Sequence, residues 1–290
     1  MKEGILTPRA AALERIKALA LDTLPSPESK RAYGQALDDF FRWCEVEAVT
    51  EFSKATVNAY RTALEQRRLS SSTINQRLSA IRKLAMEVAD NGFMAFDQAS
   101  AISRVKGLRQ AGVRTGHWLT REQAERLISV ADATTLKGAR DRALLAVLIG
   151  CGLRCRETAN LSVVHIQQRD GRWVIVDLIG KGRRVRSVPM PQWTRQAIDA
   201  WTGMAGIESG FVFRQLDKSE RVAGDRLTAR RIFQIVRSAG GAIGVPSLAP
   251  HDLRRTFARL AHRGKSALEQ IQLSLGHASV MTTEHQYPSE

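Results

Sequence analysis

The spacing of the apolar residues changes once along this chain, and that change limits what it can fold into. Through roughly the first hundred residues the spacing is helical only. Tyr33, Leu37, Phe40 and Cys44 recur at intervals of four, three and four behind Ser26-Pro27, a cap followed by a proline suited to the first helical position. Val57, Tyr60 and Leu64 mark a second helix, opened by Ser53. Ile74, Leu78, Ile81, Ala85 and Val88 mark another, starting at Ser72-Thr73 and stopping at Asn91-Gly92. From Arg104 to Thr115 the pattern dissolves into a stretch with two glycines and four basic residues, a linker by composition. The helical period restarts at Thr120-Arg-Glu-Gln123, a capping box. These signals predict a helical domain over 1–103, a basic linker over 104–116 and a second domain over 117–290, with the boundary near residue 114.

The second domain mixes periods. Asp141 to Gly150 reads as a buried helix. Trp173 to Ile179 and Val185 to Met190 read as two strands around Gly180-Lys181-Gly182, a β-hairpin. Helices follow at about 191–203, 228–239 and 250–263, the last with Gly264 as its C-cap, and a final one opens with a capping box at Ser266 to Glu269. The fold class expected is mainly α with a small β-sheet: an all-α domain followed by an α+β domain.

Charge narrows the partner. Lys and Arg number 44 against 29 Asp and Glu, a net charge of +15, which favours a polyanion because each cation set against a phosphate releases a condensed counterion. A merely basic surface is the alternative. Cys44, Cys151 and Cys155 are too few and too widely spaced for a disulfide framework or zinc knuckles, so they read as free thiols in a reducing compartment. No signal peptide is evident, and the longest apolar run, Ala143 to Leu153, is too short to cross a bilayer. The expectation is a cytoplasmic, nucleoid-associated protein with no membrane partner.

No phosphate-binding G-x-x-x-x-G-K-[ST] loop, two-metal acidic cluster or H-E-x-x-H spacing occurs, so phosphoryl chemistry here would rely on side-chain cations, with no metal and no cofactor. Arg154 follows the Gly152-Leu153 turn, where a guanidinium can fork onto phosphate oxygens; a surface arginine paired to Glu157 reads equally well. Lys181 sits at the hairpin tip, followed by Arg183, Arg184 and Arg186, which suits either a groove contact or a solvated turn. His251 and Arg254 lie three apart on one helix, so both project from the same face. His277 follows the last predicted helix. Tyr287 is the sole tyrosine of the second half, in a polar segment with no apolar period to bury it. Gln76, Arg77, Arg82 and Lys83 share the polar face of a first-domain helix; with Arg109 and Arg114 of the linker and Arg183 and Arg184 of the hairpin they are candidate DNA contacts, a solvated basic face being the alternative.

Together and in this order, these segments resemble the tyrosine recombinase (phage integrase) family, of the simple two-domain type. The family's first arginine box is matched by Gly152-Leu-Arg-Cys-Arg-Glu157-Thr-Ala-Asn-Leu161, and its lysine hairpin by GKGRRVRSVPM from Gly180 to Met190. His251-Asp-Leu-Arg254, Leu275-Gly-His277 and Thr282-Thr283 to Tyr287 match its three later boxes. SSSTINQRLSAIRKL from Ser70 to Leu84 is similar to its helical core-binding domain. The resemblance implies that Tyr287 attacks a scissile phosphate to form a 3′-phosphotyrosine, with Arg154 and Arg254 clamping the phosphate. Lys181 is then the general acid, His251 the base or proton relay, and His277 a hydrogen-bond donor to the phosphate. It further implies a double-stranded DNA partner with a specific core site and a tetramer on two duplexes. A type IB topoisomerase and a non-catalytic DNA-binding regulator are the rival readings. The chain stops three residues beyond Tyr287, where members continue into a tail that docks on a neighbour. That short end implies a trimmed chain or another means of coupling protomers, and residues from about 278 to 290 are expected to be the least ordered part of the second domain without DNA.

Overall fold

The computed structural model describes residues 10–109, 118–180 and 185–276. The chain divides into two compact units, Met1–Val113 and Arg114–Glu290.

The described part of the first unit is all helix: α1 (Ala10–Asp22), α2 (Pro27–Val46), α3 (Lys54–Gln66), α4 (Ser71–Asp90) and α5 (Phe96–Ser103). Ser26 and Ser53 cap α2 and α3 by accepting from the amides of Ser29 and Thr56. The start of α4 lies earlier than its sequence suggests. In the run of hydroxyl residues from Ser70 to Thr73, Ser70 takes the extended backbone and accepts from Thr73 N at 3.3 Å, so the helix opens at Ser71. The apolar faces meet in an aromatic cluster, with Phe40 and Tyr60 edge to face at 5.1 Å and Trp43 5.3 Å from Tyr60. Burying each ring contributes roughly 1.5–3 kcal/mol.

The segment after α5 is not a free linker over its first residues. Val105 is buried, and the Asn75 side chain accepts from Leu108 N at 2.8 Å and donates to Leu108 O at 2.9 Å. Arg61 donates to Lys106 O and Arg82 to Val105 O. Long-range side-chain bonds thus anchor residues that composition assigns to a connector.

The second unit runs α6 (Arg121–Ser129), α7 (Leu136–Gly150), α8 (Cys155–Ala159), a 3-10 turn (Val163–His165), then β1 (Ile166–Arg169), β2 (Arg172–Ile179) and β3 (Val185–Pro189). It continues with α9 (Gln192–Ala205), β4 (Gln215–Leu216), β5 (Val222–Ala223), α10 (Ala229–Ala242), α11 (Pro250–Arg263) and α12 (Leu268–Leu275). Strands β1, β2 and β3 form one antiparallel sheet in that order, and β4 pairs with β5. Helix α7 is buried on every side from Ala143 to Gly150, which fits its unbroken apolar run, and packs against α9 and α11. It begins at Leu136 under a Thr135 cap, a turn before the expected Asp141. The expected capping box at Ser266 does not form: Ala267 is the N-cap of α12, while Ser266 N bonds back to Ala261 O in the turn closing α11. Among the described residues no helix is long and apolar enough to cross a membrane.

Candidate active site

Arg154 leaves the Gly152-Leu153 turn as the N-cap of α8. Gly152 has φ +60°, and a Cβ there would stand 2.5 Å from the Phe257 ring, so glycine alone lets the chain pass α11 closely. Arg154 donates from Nη1 to Glu157 Oε1 at 2.7 Å and from its backbone N–H to Oε2 at 2.9 Å. Arg186, from β3, forks onto the same carboxylate at 2.9 and 2.8 Å, and its Nε donates to Ser274 O at 2.8 Å. The side chains of Glu157 and Arg186 are 6% and 10% exposed, whereas Arg154 keeps 36% open to solvent. Burial pushes the Glu157 carboxyl up, but hydrogen bonds from Arg186 and Arg154 outweigh it and hold the group at about 2 against an ordinary 4.5.

In the sequence Arg186 reads only as one of the basic residues following the hairpin tip, a groove contact or part of a solvated turn, and not as a partner of Glu157. The signal was present: strand residues two apart share a face, and Arg186 lies two before the buried Val188. A bulge in β2 around Asp177, at φ +55°, shifts the register so that Leu178 pairs with Arg186.

His251 and Arg254 sit on α11, separated by burial. Arg254 is 2% exposed and donates from Nη1 to Gly152 O at 2.5 Å and from Nη2 to Leu275 O. His251 is exposed at its surface yet crowded by cations; burial, followed by the charges of Arg255, Arg254 and Arg154, lowers its pKa, against a smaller opposing pull from Asp252. The imidazole is therefore neutral near pH 7. Cys151 and Cys155 flank Arg154 as free thiols; burial pushes both up, Cys155 to about 11, so neither is a ready nucleophile.

Lys181, Arg183, Arg184, His277, Tyr287 and Arg114 lie outside the described residues, as does the order expected of 278–290. The chain enters the Lys181 segment from β2 and leaves it into β3; α12 ends two residues before His277. Of the first-unit candidates, Gln76 and Arg109 are exposed. Arg77 pairs with Asp39, which also accepts from Tyr60 and Arg67; Arg82 holds Val105 O; Lys83 pairs with Glu87 at 2.7 Å. Among the described residues no three His, Cys, Asp or Glu side chains gather as a metal site.

A helical unit followed by a mainly helical unit with a small sheet, the latter gathering arginines around the turn before α8, is the architecture of a DNA breaking-and-rejoining enzyme. The chain belongs to the phage integrase family, whose model matches residues 117–289; a second model, the phage integrase N-terminal SAM-like domain, matches 16–92. It is 29% identical to the tyrosine recombinase XerC of Pseudomonas syringae pv. syringae (strain B728a), over 89% of this chain and 84% of that protein. It is 30% identical to XerC of Stutzerimonas stutzeri (strain A1501), over the same shares. Among solved structures it resembles the XerH site-specific recombinase bound to a palindromic difH substrate (TM-score 0.72, 18% identity, covering 97% of this chain and 82% of that one). It also resembles a lambda integrase dimer bound to a core site (TM-score 0.70, 14% identity, covering 96% and 95%). It is thus a tyrosine-type site-specific recombinase, with the fold class expected from its sequence.

Proposed function

We propose that this recombinase cleaves double-stranded DNA at a specific core site through Tyr287, with Arg154, Lys181, His251, Arg254 and His277 as its working set. The phenol oxygen of Tyr287 attacks the scissile phosphorus, a phosphotyrosine bond forms at the 3′ end, and the bond to the 5′ oxygen breaks. Neutral His251 accepts the phenol proton, and Lys181 gives a proton to the departing 5′ oxygen. Arg154 presents its open guanidinium edge to a non-bridging oxygen, and Arg254 meets the other by exchanging the Leu275 carbonyl for it. His277 adds a hydrogen bond. The phosphotyrosine conserves the bond energy, so a 5′-hydroxyl from a partner strand reverses the step with no metal or nucleotide. Four copies on two duplexes provide the partner strands. The helical first unit binds at the core site, and the second unit carries the chemistry.

One observation carries this reading. The Arg254 guanidinium bonds the carbonyl two residues ahead of Arg154 and the carbonyl two residues ahead of His277, drawing three separate sequence boxes to one point. The test is covalent capture on a nicked duplex carrying a site that the protein itself selects from randomised DNA. The wild type should leave a protein–DNA adduct on a denaturing gel, and Tyr287→Phe should leave none. No adduct from wild type rejects the enzyme reading, and an adduct from the Phe variant rejects the nucleophile. Exchange between two duplexes, as against relaxation of supercoils alone, separates recombination from topoisomerase action.

A further inference from the structure

The Glu157 carboxylate has about four lone-pair sites to offer, and all are filled. Arg186 Nη1 and Arg154 Nη1 share Oε1; Arg186 Nη2 and the Arg154 backbone N–H share Oε2. Arg154 is thus held by one side-chain donor, and among the described residues the rest of its fork bonds no protein group. Two arginines compete for one acid, and the buried one has taken the fork. The winner also reaches α12 through Ser274 O, two residues before Gly276. Gly276, at φ +60°, lies so near that a Cβ there would stand 3.0 Å from Arg186 Cδ.

We infer that Arg186 is a positioning residue: by occupying Glu157 with both guanidinium nitrogens it limits Arg154 to a single contact and keeps the outer edge of Arg154 free for a DNA phosphate. The inference rests on the role proposed for Arg154. Without Arg186, Glu157 has two empty lone pairs beside one remaining guanidinium, and fork-to-fork geometry is the stronger arrangement. Arg154 then closes onto Glu157 and withdraws from the substrate. Arg186 acts through Glu157 and touches no DNA itself.

The test compares wild type, Arg186→Lys, Arg186→Met and the double variant Glu157→Gln/Arg186→Met on the self-selected nicked duplex. Three quantities are read: single-turnover cleavage rate, DNA affinity and thermal midpoint. A lysine keeps the charge but cannot fill two lone pairs as a planar fork. Arg186→Lys should therefore hold DNA affinity and midpoint near wild type while cleavage slows about ten- to a hundredfold, the scale of a mispositioned catalytic group. Arg186→Met should cleave more slowly still. The double variant removes the acid that captures Arg154, so it should cleave faster than Arg186→Met alone. A purely structural Arg186 predicts instead that cleavage falls and recovers only in step with the thermal midpoint, because Glu157→Gln also relieves the buried carboxylate that Arg186→Met strands. Wild-type cleavage by Arg186→Lys, a double variant slower than Arg186→Met, or cleavage that moves only in step with the midpoint overturns the inference. Should Arg186→Met fail to fold, Arg186→Lys decides alone. Wild type forming no adduct instead rejects the enzyme reading, so the two failures are told apart.

Discussion

Burying the Glu157 carboxylate costs stability unless its charge is met, and the two arginines around it offset that cost. The linkage has a definite sign. A carboxyl held at about 2 in the fold against an ordinary 4.5 contributes its full stabilisation above pH 4.5 and loses it as pH falls toward 2. The shift corresponds to about 3 kcal/mol. In urea melts across that window, Glu157→Gln should flatten the acid limb of the stability curve. At neutral pH it should be less stable by about 3–5 kcal/mol, because it strands the buried Arg186 charge. An acid limb as steep as wild type would remove Glu157 from this role. Gly152 is the second critical residue. Gly152→Ala combines a left-handed backbone with a Cβ placed 2.5 Å from Phe257, so it should lower stability by about 1–3 kcal/mol and slow cleavage by displacing Arg154. As the proposed base, His251 should set the pH dependence of cleavage. Its pKa is lowered, so cleavage should stay level through neutrality and fall only below the ordinary imidazole range; a fall beginning above pH 7 would contradict a neutral base.

At the scale of elements, short-range chemistry was legible and long-range chemistry was not. The caps at Ser26, Ser53 and Thr120 and the β2–β3 hairpin could be read because each signal lies within a few residues of what it determines. The candidate site was legible as a set of boxes, but not the bonds that join them: Arg186 bridges to residues 29 and 88 positions away. The same limit explains α7. A Cβ on Gly138 would lie 1.8 Å from Asp132 O, so this glycine serves a close backbone approach, non-local in character, inside a helix that starts at Leu136 and not at Asp141. It explains the start of the connector too, since nothing local reveals that an amide 33 residues earlier holds Leu108. Asn75→Ala should release this segment at a cost of about 1–2 kcal/mol. Trypsin should then cut faster after Arg104 and Lys106 in the native protein, and an unchanged rate would mean that Val105 and the two arginine contacts suffice.

For the whole molecule, the surplus of positive charge is unevenly shared. Lys and Arg outnumber Asp and Glu 17 to 13 up to Val113, and 27 to 16 from Arg114 onward. In the first unit much of the basic side-chain surface is already spent on internal partners: Arg67 and Arg77 on Asp39, Lys83 on Glu87, Lys17 on Asp38. In the second unit α10 alone exposes Arg230, Arg231 and Arg237. Sequence-independent DNA affinity should therefore come mainly from the second unit. Each unit has its own buried core, so the two can be compared as separate fragments split between Val113 and Arg114. Each phosphate neutralised contributes about 0.9 to the slope of log affinity against log salt. On random duplex DNA the second fragment should bind more tightly and with the steeper slope, close to that of the full chain. Equal slopes for the two fragments would mean that the ion pairs of the first unit open on DNA and that its arginines contact phosphate after all.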